Sequence, residues 1–176
     1  MNLFALNSPS ITGEVLCPGD KSISQRAVII GSLINQDMTI EGFLNGEDPI
    51  STINALNAIG SAIEINNTSV TIKQRETAFF SPKEDVDLGN SGTGMRLMMG
   101  LISSLGINVR LVGDKSLSKR PMLRVSEPLN SMGANILCRD GMPPVQITKG
   151  NIKNNFSYDM PIASAQVKSS IILAAL

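Results

Sequence analysis

The chain of 176 residues contains no histidine. That removes Ser-His-Asp catalysis and the side chain that ordinarily shuttles protons near neutral pH. Its two cysteines, Cys17 and Cys138, are far apart and have no histidine to join them, which excludes a disulfide framework and a Cys/His zinc site. Net charge is lacking as well: 15 Lys+Arg stand against 15 Asp+Glu, and only 17% of residues are charged. No basic field exists to hold a nucleic-acid backbone or an anionic membrane. No apolar run approaches the ~18 residues of a membrane span. Residues 1–10 lack the charged and apolar regions of a signal peptide, so no export signal is expected. What is present is an average globular composition, 42% apolar residues with 15 glycines. Such a chain can bury the core of one domain, or of a domain and part of another. These features together describe a soluble protein of a reducing compartment.

The pattern along the chain repeats. A first unit reads as a strand (Ile11–Leu16), a turn (Cys17–Asp20), a helix (Lys21–Ile34), a strand (Met38–Leu44), a helix over about Pro49–Ala58 and a hairpin from Ser61 to Ile72. The first helix carries an apolar stripe at Ile23, Ala27, Ile30 and Ile34. The second opens with Asp48 as N-cap and Pro49 at the first helical position, and closes at Gly60. The hairpin alternates through Ile63, Ile65, Val70 and Ile72 around Asn66-Asn67. A second unit keeps this order: strand Val86–Leu88, helix Ser91–Leu105 with its stripe at Met95, Met98, Ile102 and Leu105, strand Asn108–Val112, a helix near Met122–Met132 closed by Gly133, and a hairpin Asn135–Thr148 turning at Asp140-Gly141. A third unit begins at Tyr158–Pro161, with a helix from near Ala163. Ser91 to Ser164 is 73 residues, and so is Gly60 to Gly133.

The expected fold is therefore α/β (α+β), built from βαβαββ units at 14–83, 84–150 and an incomplete 151–176. Residues 171–176 are wholly apolar, with no capping glycine and no polar turn. A chain seldom stops inside a buried helix, which would leave unpaired carbonyls and an uncovered face. The 176 residues are accordingly read as an amino-terminal piece of a longer protein.

Each unit opens its first helix with small or hydroxyl-bearing residues: Lys21-Ser22-Ile23-Ser24, Asn90-Ser91-Gly92-Thr93-Gly94 and Ala163-Ser164-Ala165-Gln166. A helix start offers unpaired N–H donors and roughly half a positive charge, a ready anion site. N-capping alone does not explain Gly92 and Gly94, since glycine weakens a helix by about 1 kcal/mol relative to alanine. Lys21 stands at a helix mouth, and Ser22 and Arg26 share a face. Arg120 ends the polar loop 113–118, and arginine grips carboxylate and phosphate bidentately. Lys115, Lys119 and Arg124 read as solvated charge. A P-loop is excluded, because Gly13 and Gly19 are six apart and Asp20 would repel a triphosphate. The order Gly89-x-x-Gly92-x-Gly94 is not that of a dinucleotide-binding turn.

Four ordered segments carry a resemblance: Pro18-Gly19-Asp20-Lys21-Ser22-Ile23-Ser24-Gln25-Arg26-Ala27, Leu88-Gly89-Asn90-Ser91-Gly92-Thr93-Gly94-Met95-Arg96, Lys119-Arg120-Pro121-Met122 and Ala163-Ser164-Ala165-Gln166-Val167-Lys168-Ser169. Together the chain resembles the EPSP synthase (3-phosphoshikimate 1-carboxyvinyltransferase) family in its bacterial form. The resemblance implies the inverse α/β barrel of enolpyruvyl transferases: two domains, each of three βαβαββ units, closing on substrates between them. Residues 1–13 would then be a strand segment of the second domain, and residues 14–176 the substrate-binding domain.

The implied reaction moves the enolpyruvyl group of phosphoenolpyruvate onto the 5-hydroxyl of shikimate 3-phosphate, by addition and then elimination of phosphate. The pathway is that of aromatic amino-acid biosynthesis, in the cytoplasm. By resemblance, Lys21, Ser22, Arg26, Ser164, Ala165 and Gln166 hold shikimate 3-phosphate. Lys21, Asn90, Gly92, Thr93, Arg120 and Gln166 hold phosphoenolpyruvate. Gly92 matches the glyphosate-sensitive form. No metal or cofactor, nucleic acid or membrane is implied, and the full-length protein is expected to be a monomer. The acid–base groups lie outside these residues, so the chain alone is expected to bind shikimate 3-phosphate weakly and turn nothing over. Gln25 stands where the family usually has histidine and Leu97 where many members have proline; neither position is a proposed ligand.

Two other readings compete. The related UDP-N-acetylglucosamine enolpyruvyl transferase usually has Lys-Asn at the first helix and a reactive cysteine in the second-unit loop. Here the pair is Lys21-Ser22, residues 113–121 hold no cysteine, and Cys17 and Cys138 read as strand hydrophobes. A non-catalytic anion-binding module on the same repeat would have no need of Arg120 beside Lys21 and Arg26.

Overall fold

The computed structural model describes residues 3, 4, 7, 10 and 12–176. Their elements are α1 (Lys21–Ile34), β1 (Met38–Ile40), α2 (Glu47–Ala58), β2 (Ala62–Asn66), β3 (Ser69–Lys73), β4 (Val86–Asp87), α3 (Gly92–Leu105), β5 (Val109–Val112), a 3-10 turn (Leu117–Lys119), α4 (Leu123–Met132), β6 (Asn135–Arg139), β7 (Met142–Thr148) and α5 (Ala165–Ala175). Two sheets form, ordered β1-β3-β2 and β4-β5-β7-β6. Within the second, β4 runs parallel to β5, while β7 lies antiparallel between β5 and β6. Dropping β4 turns the second order into the first, strand for strand.

Local chemistry repeats as faithfully. Asn57, late in α2, exchanges two hydrogen bonds with the backbone of Ile63, and Asn130, late in α4, does the same with Ile136, each at 2.9 Å. In both units an amide side chain thereby satisfies a helix-to-strand link that would otherwise leave buried polar groups unpaired.

Helix α3 lies at the centre, buried on nearly every face, with Met95, Met98 and Met99 fully enclosed. A helix apolar all round is stable only when packed on all sides, and α1, α2, α4 and α5 supply that cover. Each fully buried Leu, Ile or Met contributes about 1.5–3 kcal/mol. The closest helix crossing is α3 on α5: a Cβ at Gly100 would sit 2.2 Å from the carbonyl oxygen of Ser170.

Several expectations are corrected. The strand at Ile11–Leu16 is absent over the described residues 12–16, where Val15 is 86% and Leu16 98% exposed; Ile11 lies outside the described residues. β4 is held by β5, whereas β1 has β3 as its ladder partner and nothing pairs its other edge among the described residues. Cys17, read as a strand hydrophobe, is exposed, while Cys138 lies half-buried in β6 and burial raises its thiol pKa. β1 stops at Ile40 because Gly42 turns the chain (φ +70°) and Phe43 donates to the Thr68 carbonyl at 2.8 Å.

The stripe expected on α1 is its outer face: Ile23, Ile30 and Ile34 are exposed, and the buried face is Ser24, Gln25, Val28, Ile29, Gly31 and Ser32. Small residues win that face because the neighbours come close; a Cβ at Gly31 would lie 2.5 Å from Ile72 Cδ1. Helix α2 begins at Glu47 with Gly46 as N-cap, leaving the Asp48 carboxylate for Lys21. The first hairpin turns at residues 67–68, with Asn67 left-handed, one residue later than expected. Helix α5 starts at Ala165, two residues after Ala163, because Ser164 caps it by accepting from Val167 N–H. Residues 158–161 form no strand. The segment 1–13 lies largely outside the described residues. Among the described residues no helix is long and apolar enough to cross a membrane.

Candidate functional site

The three first helices of the units bring their starts together, and side chains tie them to one another. At α1, Asp20 caps the helix by accepting from Ile23 N–H at 2.8 Å. Lys21 Nζ pairs with Asp48 Oδ2 at 2.9 Å while its side chain stays half exposed. An exposed pair of this kind contributes about 0–1 kcal/mol, so an incoming phosphate can draw Lys21 away at little cost. Arg26 turns back along its helix to the Ser22 carbonyl at 3.0 Å and reaches α5, where Ser169 Oγ accepts from Nε and Nη2 at 3.2 and 3.1 Å.

At α3, Ser91 caps by accepting from Gly94 N–H at 3.1 Å. Arg120, arriving on the loop after β5, donates to the Asn90 carbonyl at 3.2 Å and also to Asn90 Oδ1. Gly92 is buried under this guanidinium; a Cβ there would stand 3.0 Å from Arg120 Nη1 and 3.2 Å from Arg96 Nη1. At α5, the amides of Ala165 and Gln166 belong to the first turn and cannot be satisfied within the helix. Gln166 Nε2 donates to Thr93 Oγ1 at 2.9 Å, joining the starts of α5 and α3.

The residues proposed as ligands thus gather along α1, α3, α5 and the Arg120 loop. Sequence reasoning missed their supports. Arg96, 7% exposed, donates to the Gln166 Oε1 at 3.1 Å, the Gly92 carbonyl at 3.3 Å and the Pro121 carbonyl at 3.0 Å, and its Nε is buried without a partner. Burial, then the charges of Arg124 and Arg120, pull its pKa down to about 10. Arg124, expected to be solvated, is exposed but donates to the same Gln166 oxygen at 2.9 Å. Among the described residues no carboxylate forms an ion pair with Arg96, Arg120 or Arg124. Mutual repulsion of three cations is relieved by an anion, and the helix starts favour one at the same place. The only available signal was the arginine four residues after Gly92 and the one four after Arg120; their convergence on a residue of another unit had none.

The loop that delivers Arg120 is organised by Asp114, which accepts from Leu117 N–H and from Asn90 Nδ2, each at 2.7 Å. The Leu117 amide first, and the Asn90 amide next, hold its carboxyl below its ordinary 3.8. A depressed carboxylate contributes fully above its unfolded value and loses that contribution as pH falls through the lower folded one. Amide protection at Leu117 is therefore expected to fall as pH drops below about 3.8, and Asp114→Asn is expected to remove that pH dependence. Hydrogen exchange corrected for the intrinsic rate measures it; a protection factor flat in pH would remove Asp114 from this role.

Beside Ser164, between α4 and the segment leading into α5, lies a cavity of about 270 Å³ lined by Arg124, Tyr158, Met160, Ser164 and Val167 among others. A family model described as EPSP synthase (3-phosphoshikimate 1-carboxyvinyltransferase) matches residues 7–176. The chain belongs to the EPSP synthase family. The 3-phosphoshikimate 1-carboxyvinyltransferase of Legionella pneumophila (strain Corby) is 44% identical over the whole chain, and that of Oceanobacillus iheyensis 45%. Among solved structures, the EPSP synthase of Acinetobacter baumannii superposes with a TM-score of 0.82 at 42% identity over 92% of the chain. The chain spans about two fifths of the length of these EPSP synthase relatives, 41% and 42% of the curated two and 37% of the solved one.

Proposed function

We propose that this chain is the shikimate 3-phosphate-binding part of an enzyme that transfers the enolpyruvyl group of phosphoenolpyruvate to the 5-hydroxyl of shikimate 3-phosphate, in the cytoplasm. The observation that carries this reading is the cluster of Arg96, Arg120 and Arg124, which form no ion pair with a carboxylate among the described residues, set against the joined starts of α3 and α5. Both substrates bear a phosphate and a carboxylate, and fixed cations with helix-end amides stabilise such groups without reorganising.

Lys21, Ser22 and Arg26 on α1, with Ser164, Ala165 and Gln166 at α5, hold shikimate 3-phosphate. Asn90, Gly92, Thr93 and Arg120 hold phosphoenolpyruvate, with Lys21 and Gln166 shared between the two. Residues 151–176 are the start of a third unit; its remainder covers the outer faces of α1 and α5, where Ile23, Ile30, Ile172 and Leu176 are exposed. Residues 1–13 belong to the second domain, which supplies the acid–base groups. The full-length protein acts as a monomer on small molecules.

Titration of the full-length protein with shikimate 3-phosphate and with UDP-N-acetylglucosamine tests the reading. Binding of the first alone is expected, with phosphate release once phosphoenolpyruvate is added. Binding of UDP-N-acetylglucosamine alone assigns the related transferase instead, and binding of neither leaves the anion-binding module. The 176-residue chain is expected to bind shikimate 3-phosphate weakly and release no phosphate.

A further inference from the structure

We propose that Gln25, in the second turn of α1, is a positioning residue that locks the start of α3, and with it the phosphoenolpyruvate pocket, to α1 and α2. The inference rests on the function proposed above for that pocket. Gln25 is completely buried. Its Nε2 faces three oxygens: Ser91 Oγ at 2.7 Å, Thr52 Oγ1 at 3.0 Å and the Asp48 carbonyl at 3.3 Å. The Asp48 carbonyl can only accept, and Thr52 spends its hydrogen on that carbonyl at 3.1 Å, so both call for a donor; Ser91 Oγ accepts here as it does from Gly94 N–H. The two obligate acceptors place the nitrogen end of the Gln25 amide at the junction and leave its Oε1 buried without a partner.

A buried acceptor without a partner is unfavourable, so what Gln25 contributes to the site is its donor end. The space around it is equally specific. A Cβ at Gly94 would lie 2.7 Å from both Ser91 Oγ and Thr52 Oγ1 and 3.2 Å from Gln25 Nε2. Gly94 thus lets the first turn of α3 settle onto the polar junction. Asp48, whose carbonyl takes part, also holds Lys21 through its carboxylate. One junction therefore connects the cation at the start of α1 with the N-cap of α3. Ser22 and Arg26 ride on the same helix as Gln25, and the contacts of Arg26 with Ser22 and Ser169 do not involve it. Gly92, Thr93 and the Arg120 contact at Asn90 depend on where Ser91 sits.

The test compares full-length wild type with Gln25→Met, Gln25→His and Ser91→Ala. Methionine keeps length and volume but donates nothing; histidine can present Nε2–H at a similar reach. Gln25→Met is expected to raise KM for phosphoenolpyruvate about tenfold while KM for shikimate 3-phosphate stays within about twofold. Gln25→His should restore most of the loss. Ser91→Ala should give a similar selective rise, and the double variant Gln25→Met/Ser91→Ala little more, because both act through one contact. An unchanged KM for phosphoenolpyruvate, an equal rise in both constants, or no rescue by histidine would each overturn the proposal. Should Gln25→Met fail to fold, an unchanged KM in Ser91→Ala overturns it as well. Hydrogen exchange at Gly94 N–H separates this from the functional reading: lower protection there in Gln25→Met supports the junction even if the wild type proves inactive, and unchanged protection sinks it.

Discussion

Arg120→Ala in the full-length enzyme is expected to lower kcat/KM about a hundredfold or more, mainly through phosphoenolpyruvate, because loss of one preorganised anion donor costs about 10²–10³. The guanidinium is already held, with the Asn90 carbonyl and Oδ1 accepting from its two terminal nitrogens and Ser116 Oγ nearby at 3.4 Å. Binding an anion therefore demands little ordering of the side chain. Truncation removes the charge beside Gly92 and also leaves the Asn90 oxygens without that donor. Arg120→Lys separates the two losses: it keeps a positive charge but cannot fork across two acceptors, so an intermediate fall is expected. Steady-state kinetics with each substrate varied in turn decides the matter. A change below about threefold in Arg120→Ala would remove this residue from the pocket.

Gly100→Ala is expected to destabilise the domain by about 1–3 kcal/mol, the range for overpacking a tight contact. The new methyl would lie 2.2 Å from the Ser170 carbonyl oxygen and 2.8 Å from its carbon and Cα. These are backbone atoms of α5, so no rotamer change relieves them and the helix itself must retreat. Retreat strains the bonds that join α5 to α3: Ser170 Oγ to the Arg96 carbonyl at 2.7 Å, and Gln166 to Thr93 and Arg96. The variant should then weaken shikimate 3-phosphate binding as well as lower the melting temperature, by about 2–4 °C per kcal/mol for a domain of this size. A melting temperature within about 1 °C of wild type would show that α5 does not sit on Gly100 as described.

Much of the fold was legible. Helix α1 begins and ends at the residues expected, Gly133 closes α4 in the left-handed conformation, and β6 and β7 turn at Asp140-Gly141, both with positive φ. These are local signals: caps, left-handed residues and alternation act within one turn or hairpin. The outward stripe of α1 shows where local reasoning stops. Ile23, Ile30 and Ile34 have the right spacing for a core face, yet the helix turns inward the face that carries Gly31 and Gln25. A hydrophobic period locates a stripe but does not say which of two faces a neighbour can approach closely. At the site, the proposed ligands were named from helix starts and family likeness. Their supports Arg96, Arg124, Ser169 and Gln25 act on residues far along the chain.

The amino-acid sequence by itself determined the repeat, the helix starts rich in small residues and the lack of any histidine, because each depends on composition, on neighbours a few positions apart or on the recurrence of such local patterns along the chain. Only the tertiary structure decided that Gln166 is gripped by two arginines, that Arg26 reaches Ser169, and that Gln25 joins three helices through one amide nitrogen. Those contacts arise where helices of the three units pack on one another, α3 on α5 at Gly100 and α1 and α2 on α3. Each set includes a partner from another unit, Ser91 for Gln25, Ser169 for Arg26 and the two arginines for Gln166, so no reading of one unit could supply it whole.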